Sequence, residues 1–148
     1  MKEIKEIEIE AFIQATEDIE KVFIAIKNII PSNLPTTEDN FLIKKVRGVY
    51  HNPITIVRAK YDQDAKEIVE YIAKHLMDSD KQYLFQTLKR RVDKGNFYLR
   101  FGKQELFKGK IKIKEMKDVV KIRIGFSRKF STLEKMTELL RNMELIES

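Results

Sequence analysis

The chain has no cysteine and no tryptophan, and only 2 histidines, 3 prolines and 5 glycines among its 148 residues. Without cysteine there can be no disulfide, no thiolate metal ligand and no cysteine nucleophile, a pattern expected of a small cytoplasmic protein. His51 and His75 stand far apart, with no ligand spacing around either, so no metal and no cofactor is expected. Five glycines leave little room for a glycine-rich phosphate loop. No apolar run approaches the ~20 residues needed to cross a bilayer. Met1-Lys2-Glu3-Ile4 leads into mixed charge rather than the apolar stretch of a secretory signal. What the chain has in excess is charge, at 35% of residues, against a typical quarter.

That charge is segregated. Residues 81–129 hold 16 Lys and Arg against 4 Asp and Glu, a local charge of +12, whereas residues 1–40 hold 4 basic and 9 acidic groups. The whole-chain value of +6 hides this contrast. A concentrated positive segment points to a polyanion as partner, and RNA is the expected one.

Periodicity gives the elements. Residues 4–14 alternate, with Ile7, Ile9, Ala11 and Ile13 against Glu6, Glu8 and Glu10, as in a half-buried strand. Thr16 is placed to cap a helix carrying Ile19, Phe23, Ile26 and Ile30, which Pro31 stops. Strands are expected over about 41–49 and 53–60, joined by a turn at Tyr50-His51-Asn52-Pro53. Asp62 opens a helix with Ile68, Ile72 and Leu76 on one face. Asp78 or Ser79 caps another, bearing Leu84, Leu88 and Val92 and ended by Gly95. Three strands follow, over about 96–101, 108–114 and 118–126. Ser131 and Glu134 form a capping box for a last helix with Leu133, Met136, Leu140 and Met143 inward. The order β-α-β-β-α-α-β-β-β-α predicts a single α+β domain over residues 1–148, a largely antiparallel sheet with helices on one face.

Strand side chains alternate between faces. If helices cover the aliphatic side, the other side collects Tyr98, Arg100, Lys110, Lys112, Lys121 and Arg123, with Lys108 in line. Cations there can neutralise phosphates, and Tyr98 can stack on a base. Lys89, Arg90 and Arg91, with Lys94 and Lys103, either extend this surface or serve the end of the third helix. Ser127, Arg128 and Lys129 precede the last helix, whose N-terminal amides can hold a phosphate. Arg47 shares a side with Lys45 on the second strand. The competing reading of the lysines is a solvated strand face that resists edge pairing.

An enzymatic reading finds little support. Glu6, Glu8 and Glu10 form a stripe better read as a solvated face than as a metal site, and Asp62 and Asp64 fit a helix start. No catalytic residues are assigned. The alternative to RNA binding is a protein-interaction or assembly module, a dimeric scaffold in which the acidic first strand meets a basic partner or a second copy.

Two segments carry a family resemblance: Arg47-Gly48-Val49-Tyr50-His51-Asn52-Pro53-Ile54, and Arg91 through Gln104 continuing to Phe107-Lys108-Gly109. With Ala15-Thr16-Glu17-Asp18 and Lys21-Val22, the stretch from about residue 5 to 126 resembles an archaeal family of small RNA-binding proteins described as exosome subunits. The resemblance implies a fold similar to the large-subunit ribosomal protein that binds the small ribosomal RNA. It also implies RNA binding without catalysis, an association with RNA-degradation machinery, and dimers. It places Asn52-Pro53 on the family's turn, and Tyr98, Arg100, Lys103 and Gln104 on its strand-and-loop motif. The chain departs from the pattern at Val49, where the family has His, at His51, where it has Gly, and at Gly102, where an acid is common. His51 therefore inherits no role.

Overall fold

The N-terminal alternation becomes the middle of a sheet. In the computed structural model, which describes residues 2–36, 40–48 and 52–148, β1 (Ile4–Gln14) buries Ile7, Ile9, Ala11 and Ile13 and turns Glu6, Glu8, Glu10 and Phe12 to the other side. β3 (Pro53–Tyr61) pairs with one edge of β1 and β6 (Val119–Phe126) with the other, both antiparallel. β2 (Phe41–Arg47) lies outside β3, and β5 (Asn96–Gly102) beside β6. The two-residue β4 (Val92–Asp93) completes the order β2-β3-β1-β6-β5-β4. The expected α+β fold with an antiparallel sheet is what forms.

The helices fill one side. α1 (Ile19–Lys27), α2 (Ala65–His75), α3 (Asp78–Gln86), α4 (Lys103–Phe107) and α5 (Leu133–Asn142) contribute Val22, Ile26, Ile68, Ile72, Leu84, Leu106, Met136 and Leu140 to a single core with the inward strand residues. Each such aliphatic side chain, fully buried, contributes about 1.5–3 kcal/mol of transfer free energy. The opposite side of the sheet carries exposed or half-buried residues, among them Leu42, Ile56, Arg58, Tyr98, Arg100 and Lys121.

Several local expectations are corrected. Thr16 does not cap α1; Asp18 does, accepting from the Glu20 amide at 2.9 Å. Glu17 folds back onto the Gln14 amide, so residues 15–17 turn out of β1 before the helix starts. In α3, Asp78 is already helical and no side chain caps the start, while the Asp80 carboxylate accepts from the Ile113 amide at 3.1 Å. That helix ends at Gln86 and a 3-10 turn, Leu88–Arg91, follows. Val92 is strand, not helix, because Lys94 and Gly95 both take positive φ, 50° and 80°, and close a two-residue hairpin between β4 and β5. The last helix starts one residue late: Thr132 accepts from the Lys135 amide, while the Ser131 hydroxyl donates to the Arg128 carbonyl. Tyr50 and His51 of the expected turn lie outside the described residues. The flanking backbone closes with the Gly48 amide donating to the Asn52 carbonyl at 2.7 Å.

The largest correction concerns residues 108–114. They do not form a full strand. α4 intervenes after β5 and ends at Phe107, and Gly109, with a φ of +83°, makes the left-handed stop just beyond it. The Gly109 amide donates to the Leu106 carbonyl and the Lys110 amide to that of Glu105, the Schellman pattern. The chain then runs briefly along β5. The Gly102 amide donates to the Lys112 carbonyl and the Lys114 amide to that of Arg100. The alternation itself survives: Ile111 and Ile113 are buried, and Lys110 and Lys112 are exposed.

Candidate nucleic-acid interface

Register decides which charges meet on the helix-free face. Glu10 on β1 is opposite Lys121 on β6, which is opposite Arg100 on β5; one pair along, Glu8, Arg123 and Tyr98 form the next row. On the other flank of β1, Glu8 faces Lys60 and Glu10 faces Arg58. The acidic stripe thus runs between two basic strands. Arg123 is 2.7 Å from Glu6 and 3.4 Å from Glu8, Arg58 2.6 Å from Glu10, and Lys60 3.4 Å from Glu6. Hydrogen bonding from Arg123 holds the Glu6 carboxyl below the usual carboxylate range, against the opposing effect of its partial burial. Burial works against the charge of Arg123, but the bonds and charges of Glu6 and Glu8 outweigh it and raise its pKa.

The face is therefore no uniform positive platform. Its middle is an ion-pair lattice, and Arg123 is consumed by it, with a further bond to the Asn96 carbonyl oxygen at 3.0 Å. Arg100 and Lys121 are different. They are neighbours on β5 and β6, both exposed, and neither forms an ion pair among the described residues. Two exposed rings flank them on the same face: Tyr98 at 41% exposure on β5 and Phe12 at 40% on β1. The Lys121 ammonium lies 4.9 Å from the centre of the Phe12 ring. Lys114 is the residue opposite Arg100 on the other edge of β5, and Lys112, opposite Gly102, is a further exposed cation two residues along. Phe12 is the residue that sequence reading missed. Its signal was present: it is the one aromatic in phase with the glutamates.

The remaining candidates scatter. Lys103 is buried, and its ammonium uses all three donors internally, on the Phe12 carbonyl at 2.5 Å, Glu17 at 3.1 Å and Asp118 at 2.7 Å. Gln104 is exposed at the start of α4. Arg91 is buried too, bonded to Glu115 at 2.6 Å, Thr87 at 2.7 Å and the Tyr98 carbonyl. Lys108 and Lys110 are exposed where the chain leaves α4, while Lys114 pairs with Glu105 at 3.4 Å. Lys89 and Arg90 are exposed on the 3-10 turn beside α5. Arg47 and Asn52 lie at the β2 end of the sheet, with four strand spacings of about 4.8 Å between β2 and β5. Arg47 also has the opposite side-chain phase from Arg100. Arg128 and Lys129 are exposed in a 3-10 turn before α5. Among the described residues, no group of three or more His, Asp or Glu side chains is arranged to hold a metal ion, and no helix is long and apolar enough to cross a membrane.

A family described as RNA binding matches residues 6–126. The chain belongs to this RNA-binding family. The match ends at Phe126, the last residue of β6, so essentially the whole sheet lies within it and α5 lies beyond. An RNA-binding protein of Pyrococcus abyssi is 35% identical over 121 residues, 80% of this chain and 79% of that protein. An uncharacterised protein of Methanocaldococcus jannaschii is 31% identical over 146 residues, 94% and 97% of the two chains. Among solved structures, a DUF54 protein of Methanothermobacter thermautotrophicus superposes with a TM-score of 0.75 at 25% identity, covering 95% of this chain and 98% of that one.

Proposed function

We propose that the chain is a non-catalytic RNA-binding protein whose contact surface is the β5–β6 side of the helix-free sheet face. The carrying observation is the pair Arg100 and Lys121, both without ion pairs among the described residues, set between the exposed rings of Tyr98 and Phe12. Unpaired cations beside exposed aromatics suit a single strand, with phosphates on the cations and bases on the rings. Membership of the RNA-binding family and the likeness to the Pyrococcus abyssi protein support the reading. Lys112, Lys110 and Lys108 extend the surface along the segment that leaves α4. Recognition is led by charge and shape, as expected where the cations lack a fixed hydrogen-bonding frame. Titration of a labelled single-stranded oligonucleotide at several salt concentrations tests it: affinity falls with salt in the wild type, and falls less steeply in the Arg100→Gln, Lys121→Gln double variant. The salt slopes being equal would refute this surface.

In the cell, such a module would act in the cytoplasm as an accessory factor of RNA processing or degradation, presenting RNA to a separate machine. Retention of that machine on the purified protein after nuclease treatment tests the association. A second reading, assembly through β2, has one observation in its favour: Leu42 and Ile43 are 58% and 50% exposed on an edge strand. Lys44, Lys45 and Arg47 on the same strand oppose pairing with a second copy by placing like charges together. Light scattering at low and high salt decides whether a homodimer forms.

A further inference from the structure

A groove of about 680 Å³ lies between the 3-10 turn after α3 and the outer face of α5. Its size is in the ~300–1,000 Å³ range of small-ligand clefts. Phe85, half-buried, and Leu88 supply apolar walls, and Leu133 stands 39% exposed at the first position of α5. Lys89, Arg90 and Arg141 are its charged lining residues, and no acid lines it. The Arg141 guanidinium carbon lies 5.5 Å from the centre of the Phe85 ring. Arg90 donates to the Tyr83 hydroxyl at 3.0 Å, and neither Lys89, Arg90 nor Arg141 forms an ion pair among the described residues. Glu134 and Glu138 sit on the adjoining flank of α5, outside this lining.

Apolar walls, with Gln86, Thr87 and Thr137 beside them and cations as the only charged lining, call for a ligand that is flat and apolar at one end and anionic at the other. A nucleotide has that shape. A guanidinium already resting near an aromatic ring offers a stacking plane to a base, and the lysine and second arginine meet the phosphates. A base paired in a duplex cannot present its flat face to such a groove, whereas an unstacked one can. We propose that this groove seats one unpaired nucleotide of the bound RNA, with the base against Phe85 and Arg141 and its phosphates at Lys89 and Arg90. The proposal rests on the RNA-binding reading and adds a second contact point, built from helices rather than the sheet.

The test uses the full chain, a labelled mixed-sequence single-stranded RNA and the same strand in a blunt duplex. Arg141→Gln is expected to weaken single-strand binding about tenfold, as is Phe85→Leu, which keeps most of the apolar volume; duplex affinity and melting temperature stay unchanged. If Arg141→Gln and Lys89→Gln bind the single strand as the wild type does, while Arg100→Gln with Lys121→Gln loses it, the groove assignment is overturned and the RNA reading stands. If the wild type binds neither RNA, both fall. Binding of a leucine-containing acidic peptide that is lost in Arg141→Gln, with single-strand affinity intact, would assign the groove to a protein partner and also overturn the proposal.

Discussion

Arg123 on β6 donates to Glu6 on β1 at 2.7 Å and, through its other terminal nitrogen, to Asn96 on β5 at 3.0 Å, so one guanidinium ties three strands together. A cation in the middle of the helix-free face is thereby turned into a structural part. Its charge stabilises the sheet more than it attracts a ligand.

That pairing has a pH signature. The Glu6 carboxyl is held below its ordinary value of 4.5, chiefly by its bond from Arg123. A carboxyl with a lowered folded-state pKa stabilises the fold above its unfolded pKa, and that contribution is lost as pH falls through the folded pKa. Glu6→Gln should therefore cost about 1–2 kcal/mol at neutral pH. The gap to the wild type should close as pH drops below about 4.5, the ordinary value. Urea denaturation at pH 7, 5, 4 and 3 measures it. A gap that stays constant across this series would show that the pairing does not act through the Glu6 charge.

Lys103 should behave as a staple rather than as a ligand for phosphate. Its ammonium joins the carbonyl of Phe12, Glu17 and Asp118, linking the end of β1, the turn before α1 and the approach to β6. Lys103→Met leaves a carbonyl and two acids without their cation. Glu17 and Asp118 can recover water because neither is deeply buried, so the expected cost is about 1–3 kcal/mol. RNA affinity of the folded variant should remain close to the wild type. A large affinity loss with unchanged stability would reverse this assignment.

Gly102 marks a close approach. A Cβ there would fall 2.1 Å from a Glu105 carboxylate oxygen and 2.9 Å from the Lys114 Cγ. Gly102→Ala should displace the Glu105–Lys114 ion pair and loosen residues 112–114 from β5. Hydrogen exchange reads the effect directly. The Lys114 amide, bonded to the Arg100 carbonyl, should lose protection while the β1–β6 amides keep theirs. Because both contacting side chains are flexible, the stability cost should stay near 1 kcal/mol.

Much of the fold was legible in local pattern, and much of the site was not. The alternation of Ile7, Ile9 and Ile13 with Glu6, Glu8 and Glu10 identifies β1 and its faces without reference to any other residue. α2 is likewise visible in Ile68 and Ile72. The neighbours of β1 are not visible, because β3 and β6 come from positions about 50 and 115 residues away, and pairing at that range leaves no periodic trace. Hence Glu8 looked like a solvated acid and Arg123 like a free cation, although each is the other's cross-strand partner. Residues 108–114 alternate like a strand but include Gly109, whose left-handed conformation closes off a short helix before any pairing begins. Neither charge nor motif shows that Lys103 and Arg91 are buried. Their burial depends on acids at positions 17, 115 and 118 that local spacing does not connect to them.

The salt dependence of binding by the Arg100→Gln, Lys121→Gln double variant tests the central claim most directly. Each lost phosphate contact on a single strand reduces the slope of log affinity against log salt by roughly 0.7. The account predicts that the double variant's slope is shallower than that of the wild type by about 1.4, with weaker binding at low salt and an unchanged melting temperature. The Arg123→Gln variant, whose side chain is committed to Glu6 and Asn96, should keep nearly the wild-type slope. Identical slopes for wild type and double variant, or a loss confined to Arg123→Gln, would contradict it.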